Sequence, residues 1–272
     1  MEPQSRFLDS HGIRLHVRDW GGDGLPVLLL HGMGANTHWF DAMAPLLRGL
    51  RPIALDLRGH GESQWADGDK AYGLEPFADD VARAAAGLGL ERFSIVAHSL
   101  GARVALAFAA RKPRALQSLA ALDFLCQFPD RPNPRFDKAR ARPQPYYETE
   151  EEVIRRFHLQ PPGTLLGQKA LRELGAHCVK KAADGRWTWR FDWRSFKLDY
   201  APVWPILAQV AAPSLVIRGE RSTVMPQDHF KRVRDGLRAS AADIRGAHHH
   251  VVLDAPAETA RLVSDFLAAA PR

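Results

Sequence analysis

The stretch SIVAHSLGARVALAF, residues 94–108, decides how the chain is read. A run of β-formers stops at His98-Ser99, and a helix-forming run begins at once with no polar turn between. A serine at so abrupt a corner sits in strained backbone and needs small neighbours two residues to either side. Ala97 and Gly101 hold those places. An ordinary serine capping a helix would satisfy the same five residues, so the reading depends on what surrounds them.

Outward from this corner, short apolar runs alternate with amphipathic segments. IRLHVRDW (13–20) alternates as a half-buried strand does, and VLLLHG (27–32) reads as a fully buried strand closed by glycine. A helix is expected over 37–50, a strand in RPIALDL, a helix over 75–90 and a third buried strand in RFSIVAH. Helix 100–111 stops before Pro113, and LQSLAALD is the next strand. Strands separated by helices of this length predict a parallel sheet covered on both faces, with chemistry at the carboxyl ends of its strands.

The rhythm breaks from about 124 to 205. Prolines cluster in QFPDRPNPRFDKARARPQP, helical stretches follow around 148–158 and 164–181, and GRWTWRFDWRSF is dense in Trp and Arg. Strand and helix resume with SLVIRGE (214–220), helix 226–238, strand ADIRGA and a last helix over 256–269. The expected organisation is a core in two parts, 1–123 and 206–272, with 124–205 inserted over the carboxyl edge of the sheet.

Composition narrows the function classes. At 272 residues and 46% hydrophobic content the chain can bury a large core. Its formal net charge of +6 comes from basic residues scattered among acids, which argues against nucleic-acid binding. Two distant cysteines, Cys126 and Cys178, form neither a disulfide framework nor a metal-ligand spacing, which suits a reducing compartment. The start MEPQSRFLDSHG has no apolar leader region, and no apolar run approaches the roughly 18 residues needed to span a bilayer. A soluble, cytoplasmic protein without membrane insertion is expected, as monomer or homodimer.

Three further stretches join the serine corner. VLLLHGMGAN places His31-Gly32 at a strand end, DLRGHGES (56–63) is a glycine-rich loop after the next strand, and GAHHHVVLDAP (246–256) follows the last strand. In this order and spacing they resemble the α/β-hydrolase superfamily over nearly the whole chain apart from 124–205. The resemblance implies a mostly parallel eight-stranded sheet with helices on both faces, a serine nucleophile, a histidine base, an acid and a helical cap. It also implies that Ser99 separates the chain from epoxide hydrolases and haloalkane dehalogenases of the fold, which carry Asp at the corner.

Carried over residue by residue, the resemblance makes Ser99 the nucleophile, because a hydroxyl needs an adjacent base to attack near neutral pH. Family members carry Gly-His followed by Pro seven residues on; Pro256 selects His249 from the run His248-His249-His250. The run itself does not read as a metal site, because adjacent residues of an extended chain point apart. Backbone N–H groups of Leu100 and Met33 are expected to form the oxyanion hole. The usual acid position, three residues after Gly219, holds Ser222, which cannot balance an imidazolium. Some branches supply the acid after the preceding strand, which nominates Asp123, with Glu220 as the competing candidate.

DLRGHGES lacks the Gly-Lys-Ser/Thr ending of a phosphate loop and reads as a tight loop braced by Asp56 and Arg58. His31, His98, Trp39, Trp187 and Trp189 are candidates for the substrate pocket, with Trp193 beside them, although tryptophans of an inserted segment equally suit its core. The favoured expectation is hydrolysis of a small carboxylic ester, lactone or thioester through an acyl-serine, with no cofactor and no metal. Cleavage of a carbon–carbon or amide bond by the same residues, and a ligand receptor that retains them, are the alternatives.

Overall fold

A computed structural model describes residues 2–10, 12–68, 71–127, 141–197 and 201–270. Most of the proline-rich run expected to open the insertion therefore lies outside the described residues. The main sheet has eight strands: β1 (Gln4–Ser10), β2 (Ile13–Asp19), β3 (Leu25–Leu30), β4 (Leu50–Leu55), β5 (Phe93–His98), β6 (Leu116–Leu122), β9 (Ser214–Gly219) and β10 (Ser240–Ile244). Their spatial order is β1-β2-β4-β3-β5-β6-β9-β10. The pairs β1–β2 and β2–β4 are antiparallel, and every later pair is parallel.

Period-two alternation divides the core between the two faces of the sheet. Leu28, Leu30, Ile95 and Ala97 face one cluster, packed against Phe77, Ala78 and Val81 of α1 (Leu74–Gly87) and the length of α2 (Leu100–Ala110). Val27, Leu29, Ala54 and Val96 face the other, packed against Ala260, Val263 and Leu267 of α7 (Pro256–Ala269). Helix α2 is buried from Leu100 through Ala109, which explains why its sequence, Arg103 apart, is apolar all round rather than amphipathic. The chain runs outward from β3 to β4 on one side and from β5 to β6 on the other. The strand order thus reverses beside β5, and such a switch point leaves a crevice at the carboxyl ends.

Between β6 and β9 lie α3 (Glu150–Arg156), α4 (Gln168–Ala176) and a two-stranded hairpin, β7 (Val179–Lys181) with β8 (Trp187–Trp189). Thr149 caps α3 by accepting from the Glu152 N–H, and acids in the first turn with arginines in the last suit the helix dipole. Helix α5 (Gln227–Leu237) and the short α6 (Val251–Asp254) complete the fold.

Two local expectations are corrected. The helix expected over 37–50 is two short 3₁₀ turns, Thr37–Phe40 and Ala44–Leu46, because Pro45 removes a backbone donor and Gly49 turns the chain at φ 71°. The helix expected over 164–181 spans only Gln168–Ala176, and Val179–Lys181 joins the hairpin instead. At the N-terminal edge, β1 pairs with β2 through seven registered positions from Gln4↔Asp19 to Ser10↔Ile13.

Candidate active site

Ser99 stands between β5 and α2 with φ 54° and ψ −115°, a left-handed backbone that costs about 1–3 kcal/mol in a non-glycine residue. Its surroundings hold it there: its N–H donates to Leu122 O at 3.0 Å, and its carbonyl accepts from Ala102 N at 3.1 Å. Gly101 lets the start of α2 press on β3, since a Cβ there would lie 2.4 Å from Leu30 O. Arg103, buried on α2, donates to Leu125 O at 2.9 Å and Ala201 O at 2.8 Å, fastening the serine's helix to two points of the chain between β6 and β9.

Three residues distant in sequence meet at this corner. His249 Nε2 lies 3.2 Å from Ser99 Oγ, and His249 Nδ1 lies 2.8 Å from Asp123 Oδ1. A carboxylate oxygen only accepts, so Nδ1 carries the proton and Nε2 presents its lone pair to the serine. Asp123 directly follows β6 with φ 38°, fully buried, its N–H donating to Ile217 O at 2.7 Å. Its Oδ2 accepts from Gly219 N at 2.8 Å and its Oδ1 also accepts from Ser222 Oγ at 2.7 Å, so a buried charge is solvated by fixed donors.

Glu220, the competing acid, points away. It is exposed, and its Oε2 accepts from Gly246 N at 2.8 Å, bracing the turn before the histidine run. The His248 ring lies against Gly163, where a Cβ would be 2.6 Å from its Nδ1, and its backbone N–H donates to Asp254 Oδ2 at 2.9 Å.

The Gly32-Met33 loop lies directly against the serine: a Cβ at Gly32 would be 3.1 Å from Ser99 Cβ and 3.3 Å from His98 Nδ1. The N–H groups of Met33 and Leu100 find no partner among the described residues, and Leu100 is the first residue of α2, where donors are free by the geometry of a helix. His31 sits below this loop with both ring nitrogens engaged, Nδ1 donating to Gly32 O at 2.7 Å and Nε2 accepting from Leu57 N at 3.1 Å. It is buried and shapes the loop from within the core; burial lowers its pKa.

His98 is also buried, and its Nε2 donates to His249 O at 2.9 Å, so it carries the backbone of the neighbouring histidine. Burial, then the neighbouring His249 and His250, hold its pKa well below the ordinary histidine value. His250 is pushed down to about 4, mainly by burial, with Nε2 donating to Pro161 O at 3.0 Å.

Of the tryptophans named from sequence, Trp39, Trp187 and Trp189 are placed together around Phe157 and Tyr147, whereas Trp193 belongs to a second group. Trp39 meets Phe157 edge-on at 6.3 Å, and Trp189 packs against Phe157 and Tyr147, while Trp187 pairs with Tyr147 through backbone hydrogen bonds. A different aromatic group reaches the Met33-Gly34 loop. Phe191 stands 3.5 Å from where a Cβ of Gly34 would be, with Trp193 stacked on it at 5.2 Å and Phe196 edge-on at 5.4 Å. Ser195 Oγ lies 3.5 Å from Met33 Sδ. Phe191, Ser195 and Phe196 were not singled out in the sequence; the density of aromatics in 187–196 was the available signal.

The glycine-rich loop is braced from inside. Asp56 accepts from Thr37 N at 2.7 Å and Glu62 N at 3.0 Å and faces His16 Nδ1 at 2.7 Å, while Arg58 grips Asp80 at 2.5 and 2.7 Å. Tyr72 Oη donates to Asp192 Oδ2 at 2.5 Å and Asp192 N donates to Gly59 O at 2.7 Å, tying that loop to the inserted segment. No helix among the described residues is long and apolar enough to cross a membrane.

Comparison with known proteins agrees with this architecture. The chain is 27% identical over 260 residues to an esterase of Mycobacterium tuberculosis, covering 91% of this chain and 84% of that protein. A serine hydrolase-like protein of Danio rerio is 26% identical over 282 residues, covering 91% and 83%. Among solved structures, E-2-(acetamidomethylene)succinate hydrolase superposes with a TM-score of 0.82 at 25% identity, over 98% of this chain and all of that one. The family described as alpha/beta hydrolase fold matches residues 26–256, and the protein belongs to it.

Proposed function

We propose that the protein is a serine hydrolase that cleaves a small carboxylic ester, or a related lactone or thioester, through an acyl-serine. The observation that carries this reading is the file of contacts Ser99 Oγ–His249 Nε2–Asp123 Oδ1, at 3.2 and 2.8 Å, beside two backbone N–H groups without partners among the described residues.

In this mechanism Ser99 Oγ attacks the carbonyl carbon while its proton passes to His249 Nε2. Asp123 holds the Nδ1 tautomer and balances the imidazolium, and the N–H groups of Leu100 and Met33 receive the carbonyl oxygen as it becomes an oxyanion. The C–O or C–S bond breaks with the proton returning from Nε2 to the leaving group. Water then repeats the sequence in reverse, its proton going to Nε2 and the acid leaving as Ser99 recovers its hydrogen. The 3.2 Å approach of His249 Nε2 to Ser99 Oγ supports its role as the general base.

The test is turnover of p-nitrophenyl acetate and butyrate by the parent protein and by Ser99→Ala and Asp123→Asn. The serine variant is expected to be inactive, and the asparagine variant to lose turnover by roughly 10⁴. A burst of p-nitrophenol equal to the enzyme concentration reports the acyl-serine. Parental rates in Ser99→Ala would remove the serine from the reaction, and a protein that binds ester without turning it over would be a receptor.

A further inference from the structure

Three imidazoles, from two parts of the chain, surround one point beside Ser99. His98 closes β5, and His249 and His250 precede α6; one nitrogen from each lies within 4.8 Å of the other two. All three rings are buried. Their hydrogen bonds fix which nitrogen is bare. His98 donates through Nε2 to His249 O, His250 through Nε2 to Pro161 O, and His249 through Nδ1 to Asp123. That leaves lone pairs on His98 Nδ1, His250 Nδ1 and His249 Nε2. The first two have no hydrogen-bond partner although buried, a state that buried polar atoms seldom keep without a reason.

This is the arrangement of metal-ligating histidines, each donating its other N–H to a carbonyl or carboxylate that fixes the ring. Ring spacing agrees. With a zinc–nitrogen bond of about 2.0–2.1 Å, three imidazoles around a tetrahedral ion hold their centroids about 5 Å apart. The centroids here are 4.6 Å (His98–His249), 4.9 Å (His249–His250) and 5.8 Å (His98–His250) apart.

We propose that His98, His249 and His250 form an inhibitory binding site for a late first-row divalent cation such as Zn²⁺. Neutral imidazole favours zinc and copper over magnesium and calcium, which prefer oxygen ligands. The ion occupies the His249 lone pair that faces Ser99, so binding removes the base and stops ester cleavage. The inhibition rests on the function proposed above; the binding does not. A run of three histidines alone could not form such a site, because its third ligand comes from β5, 151 residues before His249.

The test measures Zn²⁺ binding by calorimetry, with Co²⁺ absorption as a second readout, alongside p-nitrophenyl butyrate turnover. Because His38, Asp41 and His177 form another cluster of ligand-type residues near the surface, every protein carries His38→Ala. One Zn²⁺ per chain is expected at micromolar concentration, with turnover lost in parallel. His250→Gln keeps the donor to Pro161 O and is expected to retain ester cleavage while binding Zn²⁺ at least about tenfold more weakly. His98→Asn is a second variant should His250→Gln fail to fold; because His98 carries the backbone of His249, only its Zn²⁺ binding is read. Ser99→Ala should bind Zn²⁺ as the parent does. Absence of binding, or binding unchanged in whichever of the two ligand variants folds, overturns the site. Binding without any ester turnover would leave the site standing and defeat the proposed function instead.

Discussion

Ser222 donates a 2.7 Å hydrogen bond to the same Asp123 oxygen that faces His249 Nδ1 at 2.8 Å. The position three residues after Gly219, which the family resemblance makes the usual acid position, thus touches Asp123 as a hydroxyl. Ser222 Oγ is itself held by Val224 N at 3.1 Å and Met225 N at 3.2 Å. A hydroxyl after β9 and a carboxylate after β6 thus meet beside one imidazole.

The two positions should therefore be exchangeable. Asp123→Asn combined with Ser222→Asp puts the charge back on the other strand within reach of the imidazole, and asparagine tolerates the positive φ of position 123. The double variant is expected to regain at least about tenfold of the turnover lost by Asp123→Asn alone, of a total loss near ~10⁴. Steady-state rates on p-nitrophenyl butyrate decide it; a double variant no faster than the single one shows that position 222 cannot supply the acid.

Gly219 lets the end of β9 pass beneath the histidine loop. A Cβ there would lie 2.0 Å from His248 O and 2.6 Å from Ala247 O, both backbone atoms. Gly219→Ala must displace the loop that carries His249, and a shift near 1 Å is expected to cost roughly 10² in kcat, with a lowered Tm. Unchanged kinetics in this variant would mean that the loop adjusts without moving the base.

Acid should destabilise the protein well above the carboxylate range. Burial lowers His60 to about 3 and His250 to about 4, whereas the unfolded chain titrates near the ordinary 6.5. Between those values the unfolded state binds protons that the folded state refuses, so stability falls as pH drops below about 6.5. The two groups together contribute a slope of about 3 kcal/mol per pH unit near pH 5. Urea unfolding midpoints from pH 7.5 to 4.5 measure it; a flat profile would place water or a counter-charge beside these rings.

Tyr72 joins the loop 56–72 to the inserted segment through Asp192, and its hydroxyl also accepts from Ala66 N at 3.1 Å. Burial, then the hydrogen bond to Asp192, raise its pKa, so it stays protonated and donating. Tyr72→Phe removes one donor from Asp192 Oδ2, which keeps Arg194 Nε at 2.9 Å, and leaves the Ala66 N–H without its partner, at about 1–3 kcal/mol. The expected drop in Tm is about 2–4 °C for each kcal/mol. Hydrogen exchange at residues 187–197 should quicken in the same variant; parental protection there would show that Asp192 is held by its other contacts.

Much of the core was legible because local pattern and burial agree in it. A strand such as Leu25–Leu30, covered on both faces, must be apolar throughout, and Phe93–His98 followed at once by Leu100–Ala110 leaves no room for any connection but a corner. Gly101 is required by a carbonyl 2.4 Å away, so its spacing from Ser99 was informative without any other structure. Where pattern misled, as over 37–50, a single proline and a glycine outweighed helical periodicity.

Sequence alone determined the sheet's alternating rhythm, the serine corner and the candidates for base and acid, because each is written in residues close together along the chain. Only tertiary structure decided that Asp123 rather than Glu220 faces His249, since both end strands and one turn of backbone directs Glu220 to Gly246. It alone brought His98 beside His249 and His250, and Phe191 rather than the hairpin tryptophans against the Met33-Gly34 loop. The physical reason is common to all three: side-chain direction at a strand end depends on what packs above it, and the residues that pack there lie many positions away.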